Sequence, residues 1–145
     1  MKLTVKKFQE LTTTELYEIL KARAEILLWS KRSIIRTWMT LIIKVCTAFF
    51  TEDKKVIAYL RAFYQENDGD IVRIGRVLTL QHGNGTGRDL LEQSLKAIKE
   101  NMKCKKIVMD AQKYAVGFYE KFGFKTISDD FYEEGILHVV MELDV

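Results

Sequence analysis

Three glycines at alternate positions, in the run Gly83-Asn84-Gly85-Thr86-Gly87, have a spacing that points to ligand chemistry. An apolar stretch precedes the run and an amphipathic stretch follows it, so we expect a strand, a loop and then a helix. Such glycines let backbone N–H groups turn inward together, and the N-terminus of the helix adds partial positive charge. The run is therefore predicted to bind phosphate or pyrophosphate. The alternative is a strand-to-helix connection without a ligand, because the spacing is neither that of a Walker A loop nor GxGxxG.

A second candidate is the aromatic run from Phe118 to Phe124. Tyr119 and Phe122 share a predicted helical face with Ala115, so packing in the core is the simpler interpretation. A buried tyrosine hydroxyl nevertheless needs a hydrogen-bond partner, and beside an anion site it could donate a proton. Gly123 is predicted to end this helix in a left-handed conformation.

Hydrophobic periodicity predicts the elements that position these two runs. The predicted strands are Leu3–Phe8, Val56–Tyr64, Ile71–Leu80, Lys106–Asp110, Lys125–Ser128 and Leu137–Leu143. A first helix is predicted to follow the capping box formed by Thr12 and Glu15. Two further helices are predicted over Arg88–Met102 and Tyr114–Phe122. Turns are predicted at Lys54-Lys55 and at Asn67-Asp68-Gly69-Asp70, where glycine would supply a positive φ. These elements predict one α/β domain over residues 1–145 with a mixed sheet.

Composition predicts an ordinary cytoplasmic globular domain. The chain has 145 residues, of which 48% are hydrophobic and 30% are charged. We expect neither a membrane span nor a signal peptide, since no apolar run is long enough. Cys46 and Cys104 are expected to be free thiols, and together with two histidines they lack the spacing of a zinc site. The net charge of +3 gives little support for nucleic-acid binding.

The motifs and their order resemble the GNAT N-acetyltransferase family. The pattern G-R-V-x-x-x-x-x-G-x-G-x-G is followed by A-x-x-F-Y-E-K-F-G-F. The C-terminal FYEEGILHVVM and the N-terminal LTTTELYEILKARAEI are similar to the ElaA-like branch of that family. The resemblance implies a mixed, mostly antiparallel sheet with splayed central parallel strands, flanked by helices. It also implies an acetyl-CoA-dependent N-acetyltransferase that needs no metal.

The resemblance assigns roles to individual positions. The end of the predicted strand Ile71–Leu80 would offer backbone groups to the pantetheine arm of acetyl-CoA. A backbone N–H near Leu78 would stabilise the oxyanion of the tetrahedral intermediate. Tyr119 matches the tyrosine that protonates the departing thiolate, with Tyr114 as the rival donor. His82 stands where the family usually has Arg or Gln, so a fixed charge is lost. The residues expected to contact CoA are Val77, Leu78, Thr79, Leu80, His82, Gly83, Asn84, Gly85, Thr86, Gly87, Phe118 and Tyr119.

The group that accepts the proton of the amine stays open. Glu133, Glu134 and His138 lie in the C-terminal motif, and any of them could deprotonate an amine directly or through water. The glutamates could instead form a solvated hairpin tip, and His138 could equally be a core histidine in an apolar strand. Gln112 either lines the substrate cleft or is simply a polar residue early in a helix. The predicted catalytic set is Tyr119, Glu134 and His138.

The segment from residue 29 to residue 48 does not fit this resemblance. The ElaA-like branch carries an E-Q-x-x-P-Y-x-D-x-D type stretch there, whereas this chain reads WSKRSIIRTWMTLIIKVCTA. Trp38-Met39-Thr40 must be encoded TGG-ATG-ACN, and reading one base earlier gives Asp-Asp. Permitted codons in the shifted frame restore an E-Q, a proline and an acidic run. We therefore predict that the segment is frameshifted relative to its relatives, with a divergent segment as the alternative.

Two classes of function remain after these observations. The first is an N-acetyltransferase in which a primary amine attacks acetyl-CoA directly in a ternary complex. The second is a module of the same fold that binds CoA or another pyrophosphate ligand without catalysis. The expected partners are acetyl-CoA and an amine of unknown identity, without nucleic acid or membrane, and a homodimer is left open.

Overall fold

One mixed β-sheet organises the computed structural model, which describes residues 2–30 and 46–145. Its strands are β1 (Thr4–Lys7), β2 (Cys46–Glu52), β3 (Lys55–Gln65), β4 (Asp68–Thr79), β5 (Lys106–Gln112), β6 (Lys125–Thr126), β7 (Phe131–Glu133) and β8 (Ile136–Asp144). The strand order is β1-β2-β3-β4-β5-β8-β6, and β7 pairs with β8. Every pairing is antiparallel except that of β4 with β5, which is parallel. The predicted mostly antiparallel sheet with a central parallel pair is confirmed.

Three α-helices accompany the sheet in the described ranges: α1 (Thr13–Ser30), α2 (Thr86–Asn101) and α3 (Val116–Glu120). The predicted capping box is present, since the Glu15 amide donates to Thr12 Oγ1 (3.1 Å) and the Thr12 amide donates to Glu15 Oε2 (2.9 Å). No helix within residues 2–30 and 46–145 has the length and apolar character to cross a membrane.

The helix that carries the aromatic run is shorter than predicted. A 3₁₀ turn over Lys113–Ala115 precedes α3, and α3 ends at Glu120. Gly123 has a φ of 93°, so its predicted left-handed conformation is confirmed. The end of the aromatic run therefore lies in a turn after α3. In this turn the amides of Phe122 and Gly123 donate hydrogen bonds to carbonyls of α3.

The two faces of the sheet bury two hydrophobic clusters. Alternate side chains of β3 divide between them, as the period of two along a strand requires. Leu60 belongs to the larger cluster, which includes Leu90 and Leu91 of α2. Tyr59 belongs to the smaller cluster on the α1 face, with Ile19 and other residues. Each fully buried Leu or Ile contributes about 1.5–3 kcal/mol relative to exposure, so both helices are held by their apolar faces.

Two predicted turns are displaced by one or two residues. The turn between β3 and β4 lies at residues 66–67, where Asn67 has a φ of 64°, and Gly69 lies within β4. The turn between β2 and β3 uses Asp53 and Lys54, with φ values of 49° and 65°. Asn and Asp tolerate the left-handed region better than most residues, so glycine was not required at either turn.

The C-terminal hairpin contains a strand that the sequence analysis missed. The predicted strands Lys125–Ser128 and Leu137–Leu143 correspond to β6 and β8, which pair with each other. The additional strand β7 pairs with β8 through a tight turn at Glu134 (φ 52°) and Gly135 (φ 76°). At three residues, β7 is too short for alternation to reveal it.

Most of the predicted frameshift, at residues 29–48, falls outside the described residues. Strand β2 begins within the last residues of this segment and pairs with both β1 and β3. The frameshift itself stays a prediction that the sequence of the source gene tests. An intact frame encoding Trp38-Met39-Thr40 would overturn it.

Candidate active site

The parallel strands β4 and β5 separate at the centre of the sheet. They pair only between Ile71–Arg73 and Lys106–Val108, although both strands continue beyond these residues. A bulge in β4 accompanies the separation, because the register with β3 shifts and Arg76 has a φ of 53°. Bulges bend a strand and increase its twist. The expected splay is thus confirmed, and it opens at the carboxyl ends of the parallel strands, where open sheets bind ligands.

A cleft of about 1290 Å³ occupies this separation. It runs along β4 to the glycine loop and is also lined by α3 and by the β7–β8 hairpin. Its lining includes Glu134, His138 and every residue expected to contact CoA except Asn84. The fold therefore brings the predicted site residues together, while their individual roles remain predictions.

The glycine loop has the backbone conformation that its spacing predicted. Gly83 and Gly85 have φ values of 80° and 82°, in the left-handed region that favours glycine. A Cβ added at either glycine would meet nothing within 4 Å, so the backbone faces open space. Gly87 instead lies in the first turn of α2, where an added Cβ would make an ordinary 3.5 Å contact with Thr79 Cγ2. Two of the three glycines are thus required by conformation.

Asn84 shapes this loop rather than lining the cleft. Its Oδ1 accepts hydrogen bonds from the amide and the hydroxyl of Thr86, at 3.3 and 2.6 Å. Its Nδ2 donates to Gln81 Oε1 at 2.8 Å, and Gln81 Nε2 in turn donates to Glu52 Oε2 at 2.8 Å. This relay ties the loop to β2, and Gln81 was not among the predicted site residues.

The direction of the β4 backbone bears on the predicted oxyanion donor near Leu78. The Leu80 amide donates to the Ile57 carbonyl at 2.8 Å, so it faces β3. Because amides alternate in direction along an extended strand, the Leu78 amide also faces β3, where Leu78 pairs with Tyr59. The amides of Val77 and Thr79 face the separation instead. The oxyanion donor near Leu78 stays a prediction, for which the amides of Val77 and Thr79 are the candidates.

Tyr119 combines a buried ring with a place in the cleft wall. The residue is 8% exposed and packs edge-to-face against Phe118 (5.1 Å between centroids) and Phe124 (6.1 Å). Burial, with a smaller contribution from Tyr114, raises the pKa of Tyr119 to about 12. Tyr114, the rival donor, is 83% exposed at the cleft. Both the core interpretation and a role in the cleft are compatible with the position of Tyr119.

His138 is buried on β8 with one ring nitrogen fixed by the backbone. Its Nδ1 lies 2.8 Å from the Ile136 carbonyl, so Nδ1–H donates and Nε2 carries the lone pair in the neutral ring. Nε2 lies 3.8 Å from Glu133 Oε2, and the Phe131 ring stacks on the imidazole at 5.9 Å. Glu134 lies at an exposed hairpin tip, as its alternative interpretation proposed, and it also lines the cleft.

Five arginines line the cleft, and none of them was predicted as a site residue: Arg23, Arg61, Arg73, Arg76 and Arg88. Arg73 pairs with Asp110 at 2.9 Å, across the point where β4 and β5 separate. Arg23 is 1% exposed, and its guanidinium lies 5.6 Å from the centroid of the Tyr59 ring. Burial lowers the pKa of both Arg23 and Arg61. The sequence did contain one signal for Arg61, because it is the single charged residue in the otherwise apolar run VIAYLRAFY.

Comparison with known sequences places this site in a family. Residues 44–145 match the acetyltransferase (GNAT) domain. A UPF0039 protein of Schizosaccharomyces pombe is 32% identical over 145 residues, which covers 97% of this chain and 95% of that protein. Protein ElaA of Escherichia coli is 28% identical over 96 residues, covering 65% of this chain and 63% of ElaA.

Solved structures share the fold along nearly the whole chain. An acyl-CoA N-acyltransferase from Pseudomonas aeruginosa superposes with a TM-score of 0.88 and 25% identity, covering 98% of this chain and 99% of that protein. E. coli ElaA gives a TM-score of 0.88 at 21% identity, with 97% of each chain covered. An aminoglycoside 6'-N-acetyltransferase in complex with coenzyme A shares the fold at 8% identity, with a TM-score of 0.75 and coverage of 97% and 96%. This chain therefore belongs to the GNAT acetyltransferase family, and it is an acyltransferase.

Proposed function

We propose that this chain forms a single N-acetyltransferase domain that transfers the acetyl group of acetyl-CoA to a primary amine. In this proposal the amine attacks the thioester directly, within a ternary complex. The observation that carries the proposal is the separation of β4 from β5. It joins a loop suited to pyrophosphate with the titratable residues Tyr119 and His138 in one cleft.

The CoA end of the cleft would be formed by the main chain. The left-handed Gly83 and Gly85 leave open space beside the loop, and the N-terminus of α2 adds partial positive charge. The exposed His82 contributes little fixed charge, so the amides would hold most of the pyrophosphate. The unpaired edge of β4 would offer the groups of Val77 and Thr79 to the pantetheine arm, and one of these amides would stabilise the oxyanion.

Tyr119 would protonate the thiolate as the carbon–sulfur bond breaks. Its pKa of about 12 keeps the hydroxyl protonated at neutral pH, ready to donate. A cysteine-like thiol has a pKa of about 8.5 in water. The apolar surroundings that raise the pKa of Tyr119 would also raise the pKa of a thiol beside it. The difference in pKa between the donating hydroxyl and the accepting thiolate would therefore be smaller.

His138 would accept the proton that the amine loses as the new carbon–nitrogen bond forms. The Ile136 carbonyl fixes the tautomer in which Nε2 is the proton acceptor. After the transfer, the imidazolium would lie beside the Glu133 carboxylate, which stabilises its charge. Glu134 at the hairpin tip is the alternative acceptor.

A pair of measurements tests this proposal. We expect acetyl-CoA to bind in a calorimetric titration, and thiol release to require an added amine, with the N-acetylated product visible by mass spectrometry. Binding of acetyl-CoA without amine-dependent release from a broad amine panel would favour the non-catalytic CoA-binding module. Failure to bind acetyl-CoA would contradict both functions.

A further inference from the structure

We propose that the acceptor amine also carries an anionic group, a carboxylate or a phosphate, which binds Arg61 together with Arg23 and Arg76. This inference rests on the proposed acetyltransferase function and names the class of its acceptor. The three arginines come from β3, α1 and β4, and all of them line the cleft.

Arg61 lies on the face of β3 that packs against α1. Tyr59 and Phe63 share this face because they are two residues away on either side. The Arg61 guanidinium lies 5.4 Å from the centroid of the Phe63 ring. A Cβ added at Gly75 would make an ordinary contact with Arg61 Nε, at 3.5 Å. The guanidinium thus lies between the Phe63 ring and the backbone of β4.

The Nε of Arg61 is a buried donor that makes no hydrogen bond to the residues that the structure describes. A buried donor without an acceptor costs free energy, since its water has been removed and not replaced. An oxygen of a carboxylate or phosphate would satisfy this donor, and guanidinium groups match both anions in geometry. Arg61 lines the cleft that the acceptor would occupy.

The neighbouring charges concentrate positive potential at the same place. Burial is the main cause that lowers the pKa of Arg61, and the charges of Arg76 and Arg23 lower it further. Tyr59 is the one described group whose electrostatic effect favours the charged form of Arg61, and no carboxylate is among these neighbours. Arginine nevertheless stays charged at neutral pH. An anion would therefore relieve both the burial and the repulsion.

No carboxylate is among the described groups that act electrostatically on Arg61, although Glu25 and Glu134 also line the cleft. Residues 26–51 contain neither Asp nor Glu in the sequence. Asp110 in the cleft wall is paired with Arg73 at 2.9 Å, and Glu133 lies 3.8 Å from His138. The acidic β7–β8 hairpin suits the amine of the acceptor, while the arginines suit its anion. An amino-acid-like or amino-phosphate compound meets both requirements.

Matched pairs of amines test this inference in the thiol-release assay. Phenylalanine is compared with phenylalaninamide, and O-phosphoethanolamine with ethanolamine. We expect the anionic member of one pair to have a kcat/KM at least about 10-fold higher, and the identity of that pair distinguishes a carboxylate from a phosphate. Arg61→Gln should lower kcat/KM for the anionic amine by about 10- to 100-fold, with neutral amines little changed. Arg61→Lys should restore part of the preference.

Lys96→Gln is the matched control, because Lys96 is exposed on α2 and loses the same charge far from the cleft wall. An unchanged Kd for CoA shows that each variant is folded. Equal rates for both members of each pair, or an equal loss for all amines in Arg61→Gln, would overturn the inference and leave the acetyltransferase function intact.

Absence of transfer to every amine would instead count against the proposed function. In that case the CoA-bound protein is titrated calorimetrically with phenylalanine and with O-phosphoethanolamine. Binding that Arg61→Gln abolishes would support the anion site, and absence of binding would overturn it.

Discussion

The two ends of the cleft are built from different parts of the polypeptide. At the loop end, the geometry comes from the main chain, with Gly83 and Gly85 in left-handed conformations before α2. At the α1 end, it comes from side chains that are far apart in sequence, namely Arg23, Arg61 and Arg76. A site made of consecutive backbone groups is visible as a run of glycines. A site assembled from side chains becomes visible only when the fold brings them together.

Tyr119 gives the sharpest test, because it is a side chain whose role the sequence did predict. We expect Tyr119→Phe to lower turnover by about 10²–10⁴-fold, the usual range for a general acid, with CoA affinity unchanged. Turnover is measured by thiol release with a good acceptor, and affinity by calorimetry. The ring packing against Phe118 and Phe124 is retained in the variant, so the loss would belong to the hydroxyl.

The control for this prediction is Tyr64→Phe, since Tyr64 is an exposed tyrosine of β3 outside the cleft wall. A fully active Tyr119→Phe enzyme would mean that the hydroxyl only occupies the core. A comparable loss in Tyr114→Phe instead would move the donor to the rim of the cleft.

Contiguous motifs explain how much of this molecule the sequence could predict. The glycine loop and the aromatic run each lie within about ten residues, and both were located from sequence, as was the central parallel pair from the family resemblance. The bulge at Arg76 was missed because residues 71–80 were interpreted as one continuous strand, although a glycine inside a strand, such as Gly75, often marks a bulge. The direction of the Leu78 amide follows from the pairing of β4 with β3, which no local pattern reports.

The loop end can be tested by adding a side chain to its backbone. Gly85→Val places a β-branched residue at a φ of 82°, which costs about 1–2 kcal/mol in the left-handed region. We therefore expect the Kd for CoA to rise by about tenfold, as the loop relaxes away from this conformation. Calorimetric titration with CoA measures the change.

Gly69→Val is the matched control, because an added Cβ there also meets nothing within 4 Å but Gly69 does not have a positive φ. Unchanged CoA affinity in Gly85→Val would place the pyrophosphate elsewhere. Equal weakening by both substitutions would indicate a general loss of stability rather than a loss of the loop.

The smallest expected effect distinguishes the two buried tyrosines, Tyr119 and Tyr59. Burial raises the pKa of both Tyr119 and Tyr59, but the cations Arg23, Arg61 and Arg76 oppose the rise at Tyr59. Folded Tyr119 keeps its proton up to a pH of about 12, whereas the unfolded chain loses it near pH 10. The unfolded state therefore binds fewer protons above pH 10, so the free energy of unfolding falls as pH rises through this range. Between pH 10 and 11, Tyr119 should account for roughly 1 kcal/mol of that fall.

Urea unfolding at pH 8, 10 and 11 measures this contribution. The free energy of unfolding should depend less steeply on pH in Tyr119→Phe than in wild type, and Tyr59→Phe should change this dependence less. Identical slopes in wild type and Tyr119→Phe would mean that the hydroxyl is hydrated, and the contrast between the apolar surroundings of Tyr119 and the cationic surroundings of Tyr59 would fail.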